Sequence, residues 1–174
     1  MIKTTIAALA VAGLASAAVA DGFSGYYDPA NWTFNANGGD GSLDLSGVPA
    51  SITIIGDDSG ANLPRNTDLT IASNMTGVMS FDWSYFSIDD PGFDDGSYLI
   101  NGVEFVLSDT SGQSGSISVN VNAGDIIGFR VWTSDGLFGP GELTISNFTV
   151  VPTPGALALL GLGGLAAGAR RRRA

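Results

Sequence analysis

The residues of this chain best placed to do chemistry are carboxylates. Asp89-Asp90-Pro91-Gly92-Phe93-Asp94-Asp95-Gly96 sets Asp89, Asp90, Asp94 and Asp95 in one turn-rich loop. Clustered anionic oxygens repel one another, and a hard cation such as calcium relieves that repulsion, so these four are the candidate ligands for Ca2+. Asp57, Asp58 and Asp135 join them only if the fold brings them near; otherwise the segment is a solvated acidic loop. Two glycine-rich stretches fail as calcium loops. One starting at Asn35 loses its alternation of ligands at Gly39 and has Ser46 where a glutamate is needed. Gly38 to Asp44 places its aspartate one position late for a calcium β-helix repeat and has no second copy. Carboxylates about 5 to 10 Å apart can also cleave glycosidic bonds. Glu104, Glu142 and the loop aspartates are the acids available, but no pair stands out, and the chain is read as not an enzyme. With neither histidine nor cysteine, Ser-His-Asp and Cys-His nucleophiles and imidazole or thiolate metal centres are excluded.

Aromatic side chains offer the other chemistry, stacking on sugar rings. Trp32, Trp83, Tyr85 and Trp132 would form a platform if two or more shared an exposed face, although inward strand positions bury most aromatics. Tyr26, Tyr27 and Trp32, close to the start of the central region, are the candidate glycan contacts.

Strands must position these groups. Apolar residues alternate with polar ones through Phe81, Trp83 and Tyr85, Val103 to Leu107, Ile117 to Val121, and Ile127 to Val131, a period of two that predicts strand. Trp32–Asn35, Ser51–Ile55, Asp68–Ala72, Ser97–Ile100 and Leu143–Val150 read the same way, each bounded by turn residues. Asn101-Gly102 separates two apolar runs by two residues that tolerate positive φ, which predicts a tight hairpin. No stretch repeats every 3.6 residues, so the central region, 21–150, is expected to be one all-β domain, an antiparallel β-sandwich of jelly-roll type. Glu104 and Asp82 fall on the polar side of their strands and should face solvent.

The ends carry addresses. Residues 1–20 begin with Lys3, continue as an apolar run from Ile6 to Ala15 and end in Ala18-Val19-Ala20 before Asp21. This is the layout of a signal peptide cleaved between Ala20 and Asp21, with Ala18 and Ala20 in the small-residue positions. Residues 151–174 comprise Val151-Pro152-Thr153-Pro154-Gly155, an uncharged apolar run to Ala169, and Arg170-Arg171-Arg172-Arg173. The prolines should keep the first part out of helix and sheet ladder. The apolar part would make a short transmembrane helix of about 22 Å, and the arginines would stay in the cytoplasm. Of the chain's 7 basic residues only Arg65 and Arg130 lie between these ends, against all 17 acidic ones. Such a centre repels phosphate backbones, so nucleic acid is no partner.

The tail resembles a PEP-CTERM sorting signal, with Thr153 where the commoner pattern has glutamate. That resemblance implies an exported bacterial protein, held for a time at the inner membrane and processed by signal peptidase and then by exosortase, a membrane cysteine protease. It would end at the cell surface or in an extracellular matrix of exopolysaccharide. The central run from Phe81-Asp82-Trp83-Ser84-Tyr85 through Thr144-Ile145-Ser146-Asn147-Phe148 is similar to a domain of such proteins, which implies no characterised activity. The expected function is that of a structural or adhesive β-sandwich without catalysis; a carbohydrate-binding module is the alternative.

Overall fold

The computed structural model describes residues 22–153. The signal segment with Ala18, Ala20 and Asp21, and the tail from Pro154 and Gly155 through Arg170, Arg171, Arg172 and Arg173, lie outside the described residues, as do the two flanking helices expected there. Among the described residues no helix is long and apolar enough to cross a membrane.

Ten strands follow two single-turn 3₁₀ segments, Gly25–Tyr27 and Pro29–Asn31. They are β1 (Thr33–Asn35), β2 (Ser42–Asp44), β3 (Ser51–Ile55), β4 (Arg65–Ala72), β5 (Gly77–Phe86), β6 (Asp94–Ile100), β7 (Val103–Ser108), β8 (Gln113–Val121), β9 (Ile126–Thr133) and β10 (Glu142–Pro152). A front sheet, ordered β1-β4-β9-β6-β7, faces a back sheet, ordered β2-β3-β10-β5-β8. All pairings are antiparallel. From β4 onward the chain changes sheet at every connection except the β6–β7 hairpin, a jelly-roll winding. Asn101 and Gly102 close that hairpin with φ of 52° and 79°, the pair of positive values that matches the right-handed twist of the flanking strands.

Period-two alternation puts one apolar row of each strand inside. Leu69 and Ile71 of β4, and Ile127, Phe129 and Val131 of β9, meet Ile52 and Ile54 of β3, Met79, Phe81 and Tyr85 of β5, and Leu143, Ile145, Phe148 and Val150 of β10. Strict alternation from Ile145 would bring Asn147 inward. Instead the β10 register shifts between Ser146 and Thr149. Asn147 takes φ 50° and points outward, its Nδ2 donating to Asp82 Oδ2 at 2.7 Å, while Phe148 is fully buried. One bulge thus keeps a carboxamide wet and an aromatic dry.

Two expectations are corrected here. Tyr27 and Trp32 are core residues, 0% and 8% exposed, and not glycan contacts. The 3₁₀ turns fold them onto the sandwich, where Trp32 lies over Phe129 at 6.0 Å and Tyr27 meets Phe148 edge-on at 5.2 Å. Their polar ends are satisfied inside: Trp32 Nε1 donates to the Tyr27 carbonyl at 2.9 Å and the Tyr27 hydroxyl to Asn74 Oδ1 at 3.0 Å. A partner for the polar atom removes the desolvation penalty that burying it would otherwise carry. Val151 and Pro152 belong to the sheet, paired with Val78 and Gly77. Beyond Ser146, β10 pairs with β5 only, so this edge tolerates a residue with no N–H to donate.

Candidate functional site

The outer faces of the two sheets differ in kind. On the back sheet, rows such as Thr53, Thr144, Ser84 and Ser114, or Ser51, Ser146, Asp82 and Ser116, line up across the strands. Many satisfy one another, as Thr53 with Thr144 at 2.8 Å and Ser80 with Ser118 at 3.1 Å. Among the described residues no tryptophan sits on that face: Trp83 takes the inner parity, packed against the core.

The front sheet carries one. Along β9 the inward residues are Ile127, Phe129, Val131 and Thr133, so Arg130 and Trp132 share the outer face. Cross-strand register places Trp132 between Asn66 of β4 and Asp95 of β6, and Arg130 between Asp68 and Ser97. Trp132 is half-buried and forms the shared wall of two depressions. One, of about 520 Å³, is lined by Asn37, Leu63, Pro64, Arg65 and Asn66. The other, of about 380 Å³, is lined by Asp95, Glu104 and Val106.

Hydrogen bonds fix this floor. Arg130 donates from Nε and Nη2 to the two oxygens of Asp68, at 2.7 and 3.0 Å, and from Nη1 to Glu104 Oε2 at 3.1 Å. The Asp68 bonds first, with Glu104 adding, hold the guanidinium above its usual range. A planar fork locked on both sides makes a stiff surface beside the indole. Asp95 is pushed above the ordinary carboxylate range by burial, then by the charges of Asp109 and Glu104, so it is readier than most carboxyls to carry a proton and donate it to a hydroxyl. In the larger depression Arg65 Nη1 donates to the Asn37 carbonyl at 3.1 Å and Nε lies 3.6 Å from Asp57 Oδ2. Arg65 Nε and Asn66 Oδ1 are buried with no hydrogen-bond partner. The arrangement suits a polyhydroxylated ring: one apolar face to stack on, ringed by donors and acceptors.

The acidic loop is divided. Asp95 belongs to the outer face just described. Asp90 is exposed, and its backbone N–H donates to Asp89 Oδ1 at 2.7 Å. Asp94, one residue from Asp95 and on the opposite side of β6, is 2% exposed, with Oδ2 accepting from the Ser87 hydroxyl at 3.1 Å. Burial above all pushes the Asp94 carboxyl up; the Thr133 and Ser87 hydroxyls offset this in part, and the charges of Asp89 and Asp135 add to it. Burial likewise raises the Tyr85 phenol, with Asp94 and Asp95 contributing. Ile88, Phe93 and Phe138 form the apolar rim of a 290 Å³ depression that also takes in Asp89 and Asp90.

The remaining expected residues do not converge. Tyr26 is 46% exposed but stands alone, its hydroxyl donating to the Ala72 carbonyl at 3.0 Å and its ring edge-on to Tyr27. Glu104 and Asp82 lie on outer faces as expected, and Glu142 is on β10, in the back sheet. Trp132 is one of the four aromatics, with Trp32, Trp83 and Tyr85, whose type suits stacking on a sugar. What singles it out is its parity: it falls out of phase with the apolar row of β9 and in phase with Arg130.

No family model matches the chain, and no curated protein matches it. Several solved structures share its general shape at low identity. A family 11 carbohydrate-binding module from a cellulosomal cellulase of Clostridium thermocellum aligns at TM-score 0.44 and 11% identity, covering 78% of this chain and 94% of that one. A family 35 module from Cellvibrio japonicus Abf62 aligns at 0.41 and 16%, covering 70% and 95%. The mannan-recognising module TmCBM27 aligns at 0.45 and 13%, covering 77% and 95%. These likenesses are distant, and what this chain binds must follow from its own residues.

Proposed function

We propose that the sandwich is a non-catalytic polysaccharide-binding domain that stacks a sugar ring on Trp132. The observation that carries this reading is the place of Trp132: a half-buried tryptophan on a polar sheet face, between two depressions lined with carboxylate, carboxamide and guanidinium groups. A residue needed only for stability would sit with Ile127 and Phe129 on the other side of the strand. Asp68 and Glu104 outnumber the Arg130 charge beside the smaller depression even when Asp95 is protonated, so neutral polysaccharides fit it better than acidic ones. Hydrolysis is a poorer reading, because Glu104 is engaged by Arg130 and would have to leave it to act as base or nucleophile.

The test is electrophoresis through native gels containing soluble β-glucan, mannan, xylan or an acidic exopolysaccharide. Retardation by a neutral polymer, lost in Trp132→Ala and without release of reducing ends, supports the proposal. Equal migration in every gel removes it.

The termini supply the setting. The signal-like start and the PEP-CTERM-like tail support export and processing by exosortase, which would deliver the domain to the cell surface or to an exopolysaccharide matrix. The mass of the mature protein from cells with and without exosortase tests this; a tail retained in both refutes processing.

A further inference from the structure

We propose that the loop end of the sandwich binds one calcium ion, held by Asp94 and Asp89 with the hydroxyl of Tyr85. Three oxygens there are buried without a hydrogen-bond partner: Asp94 Oδ1, Asp89 Oδ2 and the Tyr85 hydroxyl. Asp94 and Tyr85 are each 2% exposed, so water does not easily serve them.

These atoms belong to one neighbourhood. The Ser87 hydroxyl donates to Asp94 Oδ2 and accepts from the Asp89 N–H, both at 3.1 Å. Gly141 shows how closely Tyr85 approaches: a Cβ there would lie 2.6 Å from the phenol oxygen and 3.0 Å from Asp94 Cβ. A side chain at 141 would therefore fill the space where the phenol meets the aspartate.

Charge makes the cluster costly as it stands. Buried carboxylates need a proton or a counter-charge. The two arginines among the described residues are committed elsewhere, Arg65 to Asp57 and Arg130 to Asp68 and Glu104. Lysine and histidine are absent from the described residues. All available donors are oxygens, and mixed carboxylate and neutral oxygens with a flexible coordination number favour calcium over softer metals. Among the described residues no three acidic side chains are arranged to hold a metal by themselves, so the Tyr85 hydroxyl, with water on the open Asp89 side alone, must complete the shell. Asp90 and Asp95 fall outside the site, Asp90 in solvent and Asp95 on the outer face.

The test uses the full-length chain stripped with EGTA, and calcium chloride alone as the probe. Calorimetric titration should show binding near one equivalent, and millimolar calcium should raise Tm by several degrees. Asp94→Asn and Asp89→Asn should each weaken binding about tenfold or more, and Asp90→Asn should leave it unchanged. Tyr85→Phe keeps the packed ring and removes only the hydroxyl, so it should weaken binding even if an Asp94 variant fails to fold. No heat and no Tm shift in the wild-type protein would overturn the proposal. So would an Asp94→Asn variant that is more stable than the parent and insensitive to calcium, because Asp94 would then be a neutral buried acid. Unchanged binding in Asp89→Asn and Tyr85→Phe together would overturn it as well.

Discussion

Replacing Trp132 by alanine isolates the stacking contribution, and its size can be worked out. A tryptophan side chain buries about 150–250 Å² when fully covered. Trp132 is partly buried, and a third of that area, roughly 50–80 Å², is the most it has left to offer; a sugar face laid on it would lose a similar area. At about 25 cal/mol per Å² the two faces together contribute at most about 2–4 kcal/mol. That corresponds to a rise in Kd of up to about 30- to 1,000-fold. Affinity electrophoresis over a series of polymer concentrations gives Kd, and circular dichroism with thermal melting confirms that the variant folds. Trp132→Tyr retains a ring and should recover most of the affinity. A folded Trp132→Ala protein that binds the same neutral polysaccharide within about threefold of wild type would refute the stacking argument and move the site elsewhere.

Arg130→Lys keeps the charge but loses the planar fork to Asp68 and the reach to Glu104. Melting should show a loss of about 1 kcal/mol or more, with weaker retardation in polysaccharide gels. Phe129→Ala empties the centre of the ring cluster that joins Trp32, Phe81 and Phe148 and should cost about 3–5 kcal/mol in denaturant unfolding. Tyr26→Ala, by contrast, should leave glycan binding unchanged. Acid sensitivity should come in part from Asp57. Burial alone would raise this carboxyl, but the Asp40 N–H and side chain, the Ser59 hydroxyl and Arg65 outweigh it and hold it below the usual range. A depressed folded-state pKa gives stability that is present above the unfolded value, near pH 4, and lost as pH falls through the folded one. Tm should therefore fall below about pH 4, and more shallowly in Asp57→Asn.

Nine of the ten strands were legible because alternation over five or more residues, or a short aromatic or β-branched run bounded by turn residues, leaves few other solutions. β2 was not, since Ser42–Asp44 is three residues among glycines and holds its place only through pairing with β3. Alternation also misleads at a sheet edge: Val103 and Phe105 have inward parity on β7, yet they are 57% and 41% exposed because no strand lies beyond them. Tyr27 and Trp32 were misplaced for a different reason. Their burial depends on two 3₁₀ turns and on distant partners, Asn74 and Phe148, which local pattern cannot see. Trp132 could have been found by parity alone. Splitting Asp94 from Asp95 likewise needed only the observation that neighbours on a strand face opposite ways. That they serve a buried cluster and an open face required the register with Thr133 and Trp132.

The last strand has a mechanical consequence. β10 lies in the interior of its sheet, bonded to β3 over Glu142 to Ser146 and to β5 over nearly its whole length. A pull on the polypeptide at Pro152, directed along the strand, loads those ladders side by side in shear instead of peeling them one rung at a time. A domain gripping a polymer while tethered through that end would resist extraction, and stretching it by residue 152 in a single-molecule experiment would register this as a high rupture force.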